Sequence, residues 1–142
     1  EIASCLVGSE MCIRDSHTLN PAMVVTNDDR VIAYGTMGGE GQPQTQAAVI
    51  LRHLAGMPLT QAIAEPRWLI GRTWGDNTAK LRLEPRFDPS VVKALSERGH
   101  DVEVLSEAFS DTMGHAGAVS KAADGSVSGS SDPRCDGCFE AI

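Results

Sequence analysis

Hydrophobic and polar positions divide the chain into short apolar runs separated by polar turns. Two of these runs, residues 22–26 (AMVVT) and 30–34 (RVIAY), are rich in β-branched residues and flank Asn27-Asp28-Asp29. Asn and Asp side chains favour tight turns, so this pattern predicts a β-hairpin. Because both runs are nearly continuous in hydrophobicity, we expect the hairpin to lie inside a sheet that is covered on both faces.

A helical period replaces the strand pattern between Pro43 and Gly56. Its apolar positions form one broad stripe, made of Ala47, Ala48, Val49, Ile50, Leu51 and Leu54. Proline is typical of a first helical turn, and glycine of the position after the last one. The segment therefore predicts a helix. His53 falls toward its other side, as a surface residue or a satisfied core residue in preference to a catalyst.

A second, shorter helix is predicted at residues 61–64, with Thr60 as its N-cap and Pro66 at its end. Residues 80–84 (KLRLE) then alternate between polar and apolar, which predicts a half-exposed strand. The remaining predicted elements are a helix at 90–98 closed by Gly99, strands at 101–105, 114–120 and 126–129, and a tight turn at 123–125. The residues alone therefore describe a mixed α/β unit.

Closely spaced glycines stand between the predicted hairpin and the first predicted helix, in the segment 34–46 (YGTMGGEGQPQTQ). Glycine reaches positive φ and lets backbone N–H groups approach a ligand closely. The first turn of a helix also leaves N–H donors unpaired at the positive end of the helix dipole. This combination suits a carboxylate, a phosphate or the oxyanion of an acyl transfer. The alternative is a merely tight connection between strand and helix.

Composition limits the classes of partner. The 142 residues are 42% hydrophobic, which is enough for the core of one domain or part of a larger one. A net charge of −7 and a pI of 4.9 argue against nucleic acid and anionic membranes, because no basic patch would neutralise phosphates. No apolar run approaches the length of a membrane span.

Several side chains carry a chemical and a structural interpretation. Trp68 and Trp74, set among arginines, line a ligand groove or pack over the core, and packing is favoured. His115, between glycines, is a general base or a residue wedged in a tightly packed strand, which is again favoured. Cys135 and Cys138 form a C-x-x-C pair without further ligands, so incidental thiols are favoured over a zinc or redox site, and they indicate no compartment. We find no motif for a metal, a nucleotide or another cofactor and expect none.

The first sixteen residues differ in character from the rest. Residues 5–16 (CLVGSEMCIRDS) resemble a translated sequencing adapter, and the acidic Glu1 and Glu10 do not fit the basic start of a signal peptide. We therefore expect residues 1–16 to be a non-native segment at the end of a truncated reading frame. Cys5 and Cys12 are excluded with it.

Four stretches of the chain, found in one order between His17 and about Phe139, resemble the C-terminal part of a γ-glutamyltranspeptidase small subunit. They are residues 17–23 (HTLNPAM), 35–42 (GTMGGEGQ), 64–68 (AEPRW) and 129–134 (GSSDPR). The resemblance assigns residues 17–142 to that part of the subunit. It implies an α+β fold, a fragment of the αββα sandwich of N-terminal-nucleophile hydrolases.

The resemblance also implies a chemistry. In this family a precursor cleaves itself, and the threonine at the new N-terminus attacks a γ-glutamyl amide, with its own α-amino group available as base. The acyl group of a small glutathione-type substrate then passes to water, an amino acid or a peptide. The family's paired glycines donate the oxyanion-hole N–H bonds, and they match Gly38 and Gly39. The implied partners are the large subunit and the N-terminal part of the small subunit.

Two departures from the family pattern qualify this implication. His17 and Thr18 stand where the family often has a serine pair that holds the substrate's α-carboxylate, so a glutaryl- or cephalosporin-acylase activity stays open. The nucleophilic threonine would precede the first matching residue, so we expect the 142-residue chain to be inactive alone. A non-catalytic binding or scaffold relative is the alternative from another functional class.

Overall fold

The computed structural model describes residues 20–71 and 78–140, and it has an α+β architecture. The strands are β1 Ala22–Val25, β2 Val31–Thr36, β3 Trp68–Ile70, β4 Leu81–Leu83, β5 Val102–Val104, β6 Ala116–Lys121 and β7 Val127–Ser131. The α-helices are α1 Gln42–Leu54, α2 Leu59–Ala64 and α3 Pro89–Glu97, and short 3-10 helices cover Gly39–Gly41 and Asp111–Met113.

The larger sheet is antiparallel, with strand order β1-β2-β6-β7. Its first two strands form the predicted hairpin, in which Ala22 pairs with Tyr34 and Asp29 has the positive φ of a tight turn, 59°. The prediction that the hairpin is covered on both faces is wrong for the described residues. Met23 and Val25 are 67% and 68% exposed, because β1 is an edge strand whose residues alternate in burial.

Helices α1 and α2 cover one face of this sheet. Strand β6 alternates strictly between buried and exposed residues, so every second side chain points toward the helices. The buried cluster between sheet and helices consists of Val49, Ile63, Ala116 and Ala118, with Tyr34 and Leu59 packed against it. Alanines on β6 let α1 and α2 lie close to the sheet. The core of the described chain therefore lies between the larger sheet and helices α1 and α2.

The smaller sheet has strand order β3-β4-β5, with β3 antiparallel and β5 parallel to β4. Strand β4 confirms the strand predicted at residues 80–84, but the prediction that it is half-exposed is wrong. Leu81, Arg82 and Leu83 are all buried because β4 is the central strand. The Arg82 guanidinium reaches out to the carbonyl of Gly71 at 3.2 Å, which lets a charged residue occupy a buried position.

The helices follow the sequence prediction closely, with one correction. Helix α1 lies between the predicted Pro43 and Gly56 signals, and the helix at 90–98 is present as α3. Thr60 is not the N-cap of α2. It lies inside the helix, which begins one residue earlier, and its hydroxyl hydrogen-bonds Ser130 Oγ at 2.8 Å. Within residues 20–71 and 78–140, no helix combines the length and apolar character needed to cross a bilayer.

Candidate functional site

The glycine turn between β2 and α1 is built from two consecutive positive-φ residues. Strand β2 ends at Thr36, and the Met37 N–H then bonds the His115 carbonyl at 3.0 Å. Gly38 has φ 136° and ψ 26°, and Gly39 has φ 55°. The 3-10 turn Gly39–Gly41 leads directly into α1. A side chain would strain both positions, and Gly38 the more because φ 136° lies beyond the left-handed helical region.

The two glycines differ in their surroundings. Gly38 is buried and Gly39 is exposed, and a Cβ placed on Gly39 would meet no atom within 4 Å. Neither residue belongs to the β2–β6 ladder, which ends at the pair Thr36 and Ala116. Within the described ranges no acceptor is found for the Gly39 N–H. Gly39 is therefore an exposed residue beside the positive end of α1.

A second turn, at residues 113–115, presses against the glycine turn. A Cβ on Gly114 would lie 2.1 Å from the Met37 carbonyl oxygen, and a Cβ on Gly38 would lie 3.3 Å from the Gly114 Cα. Gly114 also has a positive φ, 73°. The two turns are therefore in direct backbone contact, and that contact requires glycine at position 114.

Four charged side chains form a buried cluster behind these turns: Arg67, Glu84, Asp132 and Arg134, each at most 7% exposed. Arg134 pairs with Glu84 through two bonds, of 2.8 and 2.5 Å, and with Asp132 at 3.0 Å. Arg67 pairs with Asp132 at 2.5 Å. Each buried charge thus has an opposite partner, as burial of charge in a protein demands. We refer to these four residues as the buried charge cluster.

Opposed influences set the ionisation of the cluster. Burial raises the pKa of Asp132, but Arg67 and the N–H groups of Ala116 and Arg134 outweigh it and hold this pKa below its ordinary value of 3.8. Burial lowers the pKa of Arg67 to about 10, assisted by the nearby Arg134. Asp132 and Arg67 are therefore both charged at neutral pH.

The buried charge cluster is bonded to the backbone of the 113–116 segment. Arg67 donates to the carbonyls of Met113 at 3.3 Å and Gly114 at 2.7 Å. Asp132 accepts the N–H of Ala116 at 2.6 Å. The segment that touches the glycine turn is thus fixed from the opposite side by an ion pair.

His115 lies one residue before β6, so the prediction that it sits within the strand is wrong. Its Nε2 lies 2.6 Å from Asp111 Oδ1, and its side chain is half-buried. It lines a cavity of about 260 Å³ beside the glycine turn together with Asn20, Thr36 and Met37, among others. The general-base interpretation of His115 stays a prediction. His53, half-buried with Nδ1 2.9 Å from the Met57 carbonyl, matches the predicted satisfied residue.

The other candidate residues lie apart from the glycine turn or outside the described ranges. His17, Thr18 and Trp74 are outside those ranges, and so are Cys5 and Cys12. Trp68 is half-buried in β3. Cys135 and Cys138 are free thiols that border a cavity of about 800 Å³ on the exposed face of the larger sheet. Among residues 20–71 and 78–140, no group of three or more His, Cys, Asp or Glu side chains could hold a metal ion.

Sequence reasoning did not foresee the buried charge cluster. Arg67, Asp132 and Arg134 entered only as parts of the stretches AEPRW and GSSDPR, and Glu84 only as the end of an alternating strand. A partial signal was present, since Glu84 ends the alternating stretch that was predicted as a strand. It could not reveal which charges pair, because the partners lie up to 65 residues apart.

Comparison with known proteins places these features in a family context. Residues 12–142 match the family model described as Gamma-glutamyltranspeptidase. The chain is 55% identical over 122 residues to the "Oxamate amidohydrolase proenzyme" of Klebsiella pneumoniae subsp. pneumoniae, covering 85% of this chain and 23% of the relative. It is 49% identical over 130 residues to the "Glutathione hydrolase-like YwrD proenzyme" of Bacillus subtilis, covering 91% of this chain and 25% of the relative.

Solved structures show the same fold. The crystal structure of the Bacillus anthracis transpeptidase enzyme CapD matches with a TM-score of 0.72 at 21% identity, over 87% of this chain and 70% of that chain. At this identity the match concerns the fold alone. The chain spans about a quarter of the length of the two curated relatives named above.

Proposed function

The chain belongs to the γ-glutamyltranspeptidase family, and from this premise we propose that it supplies the oxyanion-binding part of an amide hydrolase. Its fold is that of an N-terminal-nucleophile hydrolase fragment. In the proposed role, the N–H groups of Gly38 and Gly39 stabilise the negative oxygen that forms when a nucleophile attacks an amide carbonyl. The nucleophile itself comes from another part of the parent protein.

The observation that carries this proposal is the geometry of the glycine turn. Gly39 is exposed, its N–H has no acceptor among the described residues, and the turn opens into the 13-residue helix α1. Two adjacent amides in a positive-φ turn at a helix start form a concavity suited to an anion. Loss of one oxyanion donor typically costs about 2.7–4 kcal/mol of transition-state stabilisation.

The proposed reaction is an acyl transfer in two steps. A threonine hydroxyl attacks the amide carbon, the carbonyl oxygen becomes an oxyanion at the glycine turn, and the C–N bond breaks as the amine leaves with a proton. Water, an amino acid or a peptide then attacks the ester and releases the threonine. In this two-step reaction the described residues contribute the oxyanion site, and the nucleophile comes from another part of the parent protein.

We propose a small amide that carries a carboxylate as the substrate, with an oxamate-type amide first and a γ-glutamyl amide of the glutathione type second. The 55% identity to a protein named as an oxamate amidohydrolase supports the first. His17 and Thr18, where the family often has two serines, agree with an acyl group other than γ-glutamyl. The family itself and the name of the Bacillus subtilis relative support the second.

A hybrid proenzyme tests the proposed function. In it, the aligned region of the Klebsiella pneumoniae relative is replaced by the residues of this chain. We expect self-processing, and release of ammonia from oxamate at a kcat within about tenfold of the unmodified relative. Release of p-nitroaniline from γ-glutamyl-p-nitroanilide measures the second candidate. A folded, processed hybrid that cleaves neither amide would contradict the proposal and favour a scaffold role.

Two alanine variants of the hybrid proenzyme test whether this activity depends on the glycine turn. Gly38→Ala places a Cβ at φ 136°, whereas Gly99→Ala, after α3, places one at φ 92° with no atom within 4 Å. Because only the first change moves an oxyanion donor, we expect Gly38→Ala to lower kcat about 100-fold and Gly99→Ala to leave it unchanged. Equal kcat values for the two variants would refute the oxyanion role.

The chain by itself should be inactive. We expect the purified 142-residue chain to release neither ammonia from oxamate nor p-nitroaniline from γ-glutamyl-p-nitroanilide, since we place the nucleophile in another part of the parent protein. Turnover above a buffer blank, retained after a second purification step, would overturn this expectation.

A further inference from the structure

We infer that the buried Arg67–Asp132 ion pair is a positioning device for the Gly38 amide, acting through Gly114. The inference rests on the proposed oxyanion role of the glycine turn. Arg67 and Asp132 both bond the backbone of the 113–116 segment. The connection passes through the backbone of the 113–116 segment, which lies between the ion pair and the turn.

The inner side of this segment is held by convergent bonds. The Arg67 Nη1 donates to the carbonyls of Met113 and Gly114, at 3.3 and 2.7 Å, while its Nη2 bonds Asp132 at 2.5 Å. Thr45 Oγ1, on α1, also donates to the Met113 carbonyl at 3.2 Å. The planar fork of a guanidinium fixes the directions of these bonds, which a flexible ammonium would not. Met113 and Gly114 are therefore set in orientation as well as in position.

Asp132 holds the other end of the same segment. Its Oδ2 accepts from Arg67 and from the Ala116 N–H, while its Oδ1 accepts from Arg134. One carboxylate thus ties the guanidinium to the first residue of β6. The distance between the Gly114 carbonyl and the start of β6 is fixed by a single ion pair.

The outer side of the segment sets the orientation of the glycine turn. The His115 carbonyl accepts the Met37 N–H at 3.0 Å, and Gly114 leaves room for the Met37 carbonyl where a Cβ would lie 2.1 Å from its oxygen. The Met37 carbonyl and the Gly38 N–H belong to one planar peptide unit and point in opposite directions. The Met37 carbonyl packs against Gly114 and accepts a bond from Thr36 Oγ1 at 2.7 Å, and its direction sets that of the Gly38 N–H.

A purely stabilising role accounts poorly for this arrangement. Buried ion pairs contribute little net stability compared with well-packed apolar residues, because both charges lose their hydration. Here two of the bonds from the Arg67 guanidinium end on carbonyls of the single turn that touches Gly38. Positioning of a catalytic amide gives these charges a role that stability does not.

A matched glycine pair in the hybrid proenzyme tests the inference. Gly114→Ala adds a Cβ against Met37, whereas Gly125→Ala adds one in the turn before β7, at φ 88° with no atom within 4 Å. Both carry a positive-φ strain, but only the first pushes on the glycine turn. We expect Gly114→Ala to lower kcat about 10- to 100-fold with KM within about twofold, and Gly125→Ala to change neither.

Two milder variants keep the test decisive if Gly114→Ala fails to fold. Thr45→Val removes the hydroxyl bond to Met113 with little change of shape, and its control, Thr60→Val, removes the bond to Ser130. Arg67→Lys keeps the charge beside Asp132 but loses the fork. We expect Thr45→Val to lower kcat about threefold and Arg67→Lys about 10-fold or more, at unchanged KM, and Thr60→Val to match the unmodified hybrid.

The Gly38→Ala variant distinguishes a failure of the proposed oxyanion role from a failure of this inference. If Gly38→Ala leaves kcat unchanged, the proposed oxyanion role fails, and this inference fails with it. If Gly38→Ala lowers kcat while Gly114→Ala, Thr45→Val and Arg67→Lys do not, only the inference fails. Losses of kcat that merely follow losses of Tm, as judged against Gly125→Ala and Thr60→Val, would show a structural role and also overturn it.

Discussion

Gly38 and Gly39 are adjacent glycines whose substitution should have different consequences. Gly38 is buried, its φ of 136° lies outside the region that side chains adopt, and a Cβ would press on Gly114. Gly39 is exposed, and its φ of 55° lies in the left-handed region that Asn and, at some cost, other residues occupy. Only Gly38 therefore combines backbone strain with steric conflict.

This difference predicts unequal losses of stability. We expect Gly39→Ala to lower the free energy of unfolding of the hybrid proenzyme by about 1 kcal/mol, and Gly38→Ala by about 2–3 kcal/mol. Urea unfolding followed by tryptophan fluorescence measures both values. Equal losses would mean that the contact with Gly114 can relax freely.

The lowered pKa of the Asp132 carboxyl group predicts how stability depends on pH. Its pKa is below 3.8 in the folded state, so the unfolded chain binds its proton first as the pH falls. Its contribution is therefore complete above about pH 4 and is lost as the pH falls through the folded pKa. Asp132→Asn leaves Arg67 without its ionic partner, and we expect a loss of about 3–5 kcal/mol at pH 7.

Unfolding experiments between pH 7 and pH 2 check this sign, and the range is chosen about the ordinary pKa of a carboxyl group. The stability difference between the unmodified hybrid and Asp132→Asn should shrink only in the acidic part of that range. Asp101→Asn, at an exposed position just before β5, is the control and should show no comparable difference. A difference that grew as the pH fell would contradict the assigned pKa direction.

At the level of elements, those helices and strands that are marked by local turn and cap residues could be predicted from the sequence. The β1–β2 hairpin followed from its Asn-Asp-Asp turn, and α1 from Pro43 and Gly56. The burial of β4 did not follow from its alternation, because burial depends on β3 and β5 pairing on either side. Strand β3 was not predicted at all, since three residues after Arg67 carry no periodic signal. Non-local pairing therefore accounts for most of the errors.

The site also contains features that local sequence predicts and features that it does not. The glycine turn could be predicted, because Gly38 and Gly39 stand together in one short glycine-rich stretch. The buried charge cluster could not, because Arg134 and Glu84 meet across 50 residues and no local pattern pairs them. Gly114 had no visible role until the contact with Met37 was known.

Two isoleucines, Ile63 in α2 and Ile70 in β3, differ in burial, and their truncation should therefore differ in its cost to stability. Ile63 is fully buried in the core beneath the larger sheet, whereas Ile70, in β3, is 45% exposed. We expect Ile63→Ala to lower the free energy of unfolding by about 2–5 kcal/mol, through lost burial and the cavity that remains. Ile70→Ala should cost less than about 1 kcal/mol because little apolar surface returns to water. Similar losses in denaturant unfolding would contradict this packing.

For the molecule as a whole, the larger sheet has two unlike faces. One face is covered by α1 and α2, and the other carries Met23, Val119 and the cavity of about 800 Å³. In the αββα sandwich of N-terminal-nucleophile hydrolases a second sheet packs on the inner face of the first. We expect such a sheet to cover the exposed apolar face in the parent protein.

This placement predicts an effect that depends on context. Val119→Lys should change the stability of the isolated chain little, because Val119 is already 43% exposed there. In the hybrid proenzyme the same change would bury a charge between sheets. We therefore expect the free energy of unfolding to fall by about 3 kcal/mol. Leu51→Lys, on the outer side of α1, is the control. Thermal unfolding of both proteins measures the difference, and equal shifts for Val119→Lys would place this face in solvent.

The contact between Gly114 and the Met37 carbonyl has a consequence for how the sequence can vary. When a larger residue enters a core, a smaller neighbour can often compensate. Here the neighbour is a main-chain oxygen, which every amino acid carries in the same place. No second-site substitution can make room for a side chain at position 114. A substitution of Gly114 therefore cannot be compensated by a change elsewhere in the sequence.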